Sequence, residues 1–483
     1  MATQSPADRS LAADVDVFVK TVMSAAGTPG MAIAVVRGDQ AILVKGYGFA
    51  DIERGIPVTE NTAFYIASAT KAFTALTLAL MADRKTVDLD VPITRYLKGV
   101  HWAPSVNPDS ITLRRLLSHS SGIDGDGPVI WRTAFTGEQT NAQIKDLLQY
   151  HGTNGLGYNY RYTNLGYNIA GLIIDDVTGG KWQDALRANV FAPLGMTRTT
   201  AYLSRVDSAQ RAMPYVWDSA GPRRVHYSKA DANMQAAGGL VSTAADMAKW
   251  LEMQLNEGRL DGRQVFPERV VAETQRQQVA MMGTRGEQQT VGYALGWTIG
   301  VQGGGSDTAR LHGGGFSSFR TIIGFDRRHR IGVAVFANEP AISGGAIENI
   351  AQYVLDRARD SATAARVYAS RLVELPAIVG RIKTALAEGR ARRAARPQTL
   401  TKPLEAYAGT YESVQGGTFT WTVRDGRLWA EIGVLKSVAE VFDAPTDKLR
   451  VELEPGIGTV ATFKFADGRA TGLVHQGFEY GRR

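Results

Sequence analysis

Apolar residues recur at helical spacing over residues 10–26, where Leu11, Val15, Phe18, Val22 and Met23 share one face. Gly27 and Pro29 close that segment. Two apolar runs, 31–36 and 41–45, flank Arg37-Gly38-Asp39-Gln40 and predict a β-hairpin. Residues 68–83 are rich in Ala and Leu and hold no Gly or Pro, which predicts a buried helix. From about 90 to 290 the pattern is mostly helical, broken by Gly- and Pro-containing loops. One helix start is clear there: Thr243-Ala244-Ala245-Asp246 is a capping-box pattern ahead of Met247, Trp250 and Leu251. Strand character returns over 310–337, with 319–325 and 331–337 flanking the polar turn 326–330, and a helix follows near 343–359. Strands at both ends with helices between predict an α/β (α+β) unit: one discontinuous sheet with a helical insertion.

Residues 361–396 read as a helix that ends at Pro397 and Pro403. Beyond 404 the period changes. Residues 418–423, 428–432, 449–453 and 461–465 are short strand candidates separated by turns such as Asp425-Gly426 and Asp467-Gly468. The expected division is therefore 1–360, a helical connector 361–403, and a small β-domain 404–483.

The chain has 483 residues, 44% hydrophobic and 21% charged, which excludes a disordered or collagen-like polymer. No run approaches the roughly 18–20 apolar residues of a membrane span. The net charge of +7 raises nucleic-acid binding as a hypothesis. Its location lowers that hypothesis: Arg381, Lys383, Arg390, Arg392, Arg393, Arg396 and Lys402 face Glu388 alone in one short stretch. The rest of the chain is close to neutral. There is no cysteine, so disulfides and thiolate chemistry are excluded. The start Met1-Ala2-Thr3-Gln4-Ser5-Pro6 lacks the apolar core of a signal peptide. The expected location is periplasmic or extracellular if such a peptide has been removed, and cytoplasmic otherwise.

Walker A, Gly-x-Ser-x-Gly and His-Glu-x-x-His patterns are missing, and Gly46-Tyr47-Gly48 reads as a hairpin exit. No metal and no organic cofactor is expected. What remains is Ser68-Ala69-Thr70-Lys71, the one Ser-x-x-Lys in the chain, where the extended Phe64-Tyr65-Ile66 enters the Ala-rich helix. A spacing of three puts both side chains on one helix face. The helix N-terminus offers N–H groups suited to an oxyanion. Lys71 acts as a base only if its pKa falls from about 10.4 toward 7–8, through burial beside another cation. The bland alternative is a capping serine and a solvated lysine. Tyr162-Thr163-Asn164 adds a proton relay and an amide, or else belongs to an aromatic cluster with Tyr158, Tyr160 and Tyr167. His312-Gly313-Gly314-Gly315 permits close backbone approach and a second oxyanion donor, or else is a glycine turn like Gly303-Gly304-Gly305.

These three elements, in this order, resemble the serine β-lactamase/penicillin-binding-protein superfamily, in particular the class C β-lactamase-like branch with D-peptidases and family VIII esterases. Pro29-Gly30-Met31-Ala32, Gly46-Tyr47-Gly48, Leu116–Ile123 and Gly238–Thr243 are also similar to that family, so the likeness covers about residues 10–360. It implies a β-lactamase/transpeptidase-like fold, an antiparallel sheet flanked by helices plus a helical subdomain. The C-terminal segment looks like the lipocalin-like antiparallel barrel appended to many members. The resemblance makes Ser68 the acylated nucleophile, Lys71 its base and Tyr162 the proton shuttle. It makes Asn164 a holder of substrate amide or Lys71. It assigns His312, Gly313 and Gly314 to substrate binding, and the N–H groups of Ser68 and Gly315 to the oxyanion hole. His119 is expected to be structural.

The departure lies at His312, where class C β-lactamases carry lysine. A fixed positive charge is exchanged for a partly charged one, which shifts the expectation toward D-residue peptides, peptide-like amides or small esters. A β-lactamase, a transacylase or peptide cyclase, and a penicillin-binding sensor without turnover stay open. The expected partners are a small-molecule or peptide substrate and, as an alternative, a second copy of the chain in a homo-oligomer. No nucleic acid is expected. A loop or strand end within 404–483 is expected to reach the site.

Overall fold

Helix α1 (Pro6–Ala26) begins ahead of its apolar stripe because Ser5 caps it, its Oγ accepting the Asp8 N–H at 3.1 Å. Gly27, at φ 71°, ends it in the left-handed region. The chain is described here from a computed structural model covering residues 4–218, 221–285, 288–301, 308–397 and 399–483. Met1-Ala2-Thr3 and Gly303-Gly304-Gly305 lie outside the described residues.

The predicted hairpin forms as β1 (Gly30–Arg37) and β2 (Gln40–Asp51). Its alternation divides the core. Ala32, Ala34 and Val36 face α2 (Thr70–Asp83), while Met31, Ile33 and Val35 face α1. The remaining strands come from far downstream: β3 (Val279–Arg285), β4 (Gln288–Tyr293), β5 (Thr298–Val301), β6 (Thr308–Phe316), β7 (Phe319–Asp326) and β8 (Ile331–Ala337). The order is β3-β4-β5-β6-β7-β8-β1-β2, with the short strand Ile56–Pro57 outside β2. The discontinuous antiparallel sheet and its helical insertion, α3 (Leu165–Thr178) included, are thus as the pattern implies. Helix α4 (Ala244–Leu255) packs on the α2 side, and α5 (Ser343–Arg359) on the α1 side.

Two differences from the sequence pattern have physical causes. The mostly helical pattern to about 290 does not hold at its end, where residues 279–293 supply β3 and β4. These are outer strands with solvated positions (Met282 is 96% exposed), so they carry no apolar period. At the start of α4, Thr243 Oγ1 accepts the Asp246 N–H at 3.1 Å, but the Asp246 carboxylate accepts from Arg198 N and Thr199 Oγ1 instead of returning to residue 243. Only half of the capping box forms.

Helix α6 (Ser361–Ala394) carries the basic stretch to the C-terminal sheet. Among the described residues that sheet has nine antiparallel strands, where the pattern marked four. Its first strand (Gly409–Ser413) pairs with its last (Phe478–Arg482), and the two end strands, Leu435–Val438 and Glu440–Asp443, are consecutive in the chain, so the barrel is nearly closed. Asp425-Gly426 and Asp467-Gly468 hold positive φ at both positions, as two-residue hairpins require. Trp131 projects from the helical subdomain into the barrel core, its Nε1 donating to the Gly416 carbonyl at 3.1 Å. No helix among the described residues is long and apolar enough to cross a membrane.

Candidate active site

The strand Phe64–Tyr65 pairs with Val241–Ser242 and delivers the chain into a 3₁₀ turn, Ala67–Ala69, that opens α2. Ala67 sits at φ 46°, a costly conformation for a residue with a Cβ. It aims Ser68 at the helix mouth, where backbone N–H groups lack intrahelical acceptors. Lys71 follows one turn on and is fully buried. Its Nζ lies 2.7 Å from Asn164 Oδ1, 2.8 Å from the Ala237 carbonyl and 3.2 Å from Ser68 Oγ.

Burial pushes the Lys71 pKa down to about 7, while the Asp126 carboxylate pulls it upward. No second cation is needed for the shift; desolvation alone dominates. A neutral amine has two N–H donors and one lone pair. Asn164 Oδ1 and the Ala237 carbonyl can only accept, so they take both N–H groups. The lone pair then faces Ser68 Oγ.

Asp126 fixes this arrangement. It accepts from Thr163 Oγ1 at 2.8 Å, Asn164 N at 2.7 Å and Asn164 Nδ2 at 2.8 Å. With Nδ2 on Asp126, Oδ1 of Asn164 must face Lys71. Tyr162 stands at the mouth, 40% exposed, with its ring centre 4.8 Å from Lys71 Nζ and 4.4 Å from the buried ring of His119. Burial, with Lys71 and His312 nearby, holds His119 well below the ordinary histidine pKa. His119 is at φ 59° and forms the inner wall behind Tyr162.

The third element lies on β6. The turn Ser317-Ser318 has φ 35° and 72°, a two-residue hairpin closed by the pair Phe316 and Phe319. In such a hairpin the closing pair is hydrogen-bonded, so residues 314 and 312 also turn toward β7. Gly313 and Gly315 then present N–H and C=O to the opposite edge. Beyond Leu311, which pairs with Thr298, β5 no longer covers that edge. Gly314 must lack a side chain, because a Cβ would overlap the Ile66 carbonyl oxygen just before Ser68. His312 is buried, shares a hydrogen bond with Tyr293 Oη at 3.0 Å, and lies 6.3 Å from Tyr162 between ring centres. A cleft of about 400 Å³ is lined by Tyr162, Thr298, His312 and Gly313–Gly315.

Lys71 therefore contacts both Ser68 and Asn164, with Tyr162 against Lys71 and His312 to Gly315 lining the adjoining cleft. The sequence pattern missed Asp126, Tyr293 and the Ala237 carbonyl. Asp126 had a faint signal, since it follows the family-like segment Leu116–Ile123 in a Gly-rich loop. The barrel does approach this region: Glu454 accepts the Ser317 N–H at 3.0 Å, at the turn just beyond Gly315.

The antiparallel sheet, the helix that opens at its side and the helical subdomain across the cleft are the layout of the β-lactamase/transpeptidase-like fold. Residues 15–355 match the family model described as Beta-lactamase, and the chain belongs to that family. Protein flp of Staphylococcus aureus is 24% identical over 330 residues, which are 67% of this chain and 62% of flp. The chain thus matches less than two thirds of that relative's length. The octameric penicillin-binding protein homologue from Pyrococcus abyssi superposes with a TM-score of 0.60 at 22% identity, covering 97% of this chain and 99% of that one. The D-amino acid amidase from Ochrobactrum anthropi SV3, solved with L-phenylalanine amide, gives a TM-score of 0.59 at 25% identity, covering 73% and 99%.

Proposed function

We propose that the chain hydrolyses amide or ester bonds, in D-residue peptides, peptide-like amides or small esters, through an acyl-enzyme on Ser68. The observation that carries this reading is the buried Lys71, whose two carbonyl acceptors leave its lone pair for Ser68. Ser68 Oγ attacks the substrate carbonyl carbon as its proton passes to Lys71 Nζ. The oxyanion is held by the N–H groups of Ser68 and Gly315. Tyr162 carries the proton to the leaving group, and water releases the acid from Ser68 by the reverse relay. Asn164 holds Lys71, while His312, Gly313 and Gly314 line the substrate side. The amidase neighbour supports amides among the substrates. The same reading takes 1–360 as the catalytic unit, 361–403 as connector and 404–483 as the lipocalin-like unit.

Electrospray mass spectrometry during turnover of a p-nitrophenyl ester or a D-aminoacyl amide tests the reading. A transient acyl adduct on Ser68, absent from Ser68→Ala together with turnover, is expected. Full turnover by Ser68→Ala overturns it, and a permanent adduct without product release would make the protein a sensor.

A further inference from the structure

The basic stretch of α6 has no part in acyl transfer, yet it forms one wall of a second cavity of about 560 Å³. This cavity lies where α6, the barrel hairpin Glu452–Ile457 and the turn after Gly315 meet. Gly315 and Arg320 line both this cavity and the cleft holding Tyr162 and His312. Arg320 is opposite Gly315 in the β6–β7 ladder, and its Nη1 lies 2.7 Å from where a Cβ on residue 315 would begin. Arg320 is therefore shared by the two spaces.

The charges around the second cavity are unequally committed. Asp218 is engaged by Arg223 at 3.0 Å and by Arg390 at 3.6 Å. Arg450 is engaged by Glu440 at 3.0 Å and Glu452 at 2.6 Å. Glu339 accepts from the N–H groups of Ala341, Ile342 and Ser343 and from Ser343 Oγ. Glu454 accepts from Ser317, and burial raises its carboxyl above the ordinary glutamate range. Two guanidinium groups differ from these. Among the described residues, neither Arg320 nor Arg393 makes an ion pair within 4 Å, and Arg320 donates to the Phe319 carbonyl at 3.0 Å. Arg393 meets Glu452, and Arg320 meets Glu339, Glu454 and Glu348, only at longer range. Partly desolvated cations without close counter-ions favour an anion that supplies charge-assisted hydrogen bonds.

We propose that this cavity is an anion site for a small dianion, a dicarboxylate or a phosphate, with Arg320 and Arg393 as its binding groups. It is distinct from the acylation chemistry and does not depend on it. The anion has two sources: the acidic end of a substrate that reaches past Gly315, or a separate effector.

Calorimetric titration of the full chain with succinate and with inorganic phosphate, at constant ionic strength, tests the site. Saturable binding of one equivalent of either is expected. Arg393→Gln should weaken it about tenfold or more, the cost of one charge-assisted contact. Arg381→Gln, an exposed change in the same basic segment but off the cavity, should leave it unchanged. No saturable heat from either anion, or equal weakening by both substitutions, overturns the proposal. Repeating the titration in Ser68→Ala separates a failure of the anion site from a failure of the acyl-enzyme reading. Competition between the bound anion and acidic substrates would assign the cavity to the substrate's acidic end. A non-competitive effect would assign it to an effector, and either result supports the site.

Discussion

Asp126→Asn tests the geometry around Lys71 with the smallest change of shape. One oxygen of the new amide can still accept from Thr163 Oγ1 and Asn164 N, as Oδ1 does now. The other position becomes an NH2 facing Asn164 Nδ2, where the carboxylate now accepts at 2.8 Å. Two donors cannot share that line. The relief is a flip of the Asn164 amide, which replaces the acceptor 2.7 Å from Lys71 Nζ by a donor. A buried N–H left without its acceptor costs about 1–3 kcal/mol, so the plateau of kcat/KM should fall about 10- to 100-fold. Loss of the carboxylate also removes the pull that raises the Lys71 pKa, so that pKa moves below about 7. In the proposed mechanism Lys71 works only when neutral, so activity rises with pH through this pKa. The acid limb must therefore move to lower pH while the plateau falls. A pH–rate profile on a p-nitrophenyl ester from about pH 5 to 10 reads both effects. A lower plateau with an unmoved acid limb, or a limb displaced to higher pH, would refute the claim that Asp126 acts through Lys71.

Gly314→Ala should force β6 and the turn before Ser68 apart, because the new methyl overlaps the Ile66 carbonyl oxygen. A displacement on the order of 1 Å costs about 100-fold in rate; kcat/KM checks it, and a near-normal value would mean that Gly314 is not held against Ser68's segment. Lys229, buried under Phe316 with its Nζ donating to the Ala134 and Asn233 carbonyls, also has its pKa pushed by burial from 10.5 down to about 7. The unfolded chain therefore holds more protons than the fold between those two values, and stability rises with pH across that window. Lys229→Met should lower the slope of unfolding free energy by about 1.4 kcal/mol per pH unit there, read by urea denaturation; an unchanged slope means Lys229 stays charged in the fold.

What the sequence makes legible follows the range of each contact. Ser68 and Lys71 meet because a spacing of three on a helix is local geometry, and Asp425-Gly426 turns because φ > 0 is written in its residue types. The carboxylate that orients Asn164 comes from 38 positions earlier, and the carbonyl that holds Lys71 comes from 166 positions later. Neither has a spacing rule to announce it. Tyr293 stayed hidden because its strand is an outer one with no apolar alternation. Five barrel strands stayed hidden for a related reason: pieces such as 409–413 and 478–482 become strands by pairing across the whole C-terminal segment. The basic stretch shows the same division. Its sign is plain from composition, but its meaning lies in partners that only the fold brings: Lys383 over Trp217, Arg390 beside Asp218 and Lys402 on Asp447. Those contacts set basic side chains of this stretch against the body and the barrel. The groups proposed to form and break bonds sit in three short motifs. The groups that hold them in register are scattered, because a restraint must come from outside the element it restrains.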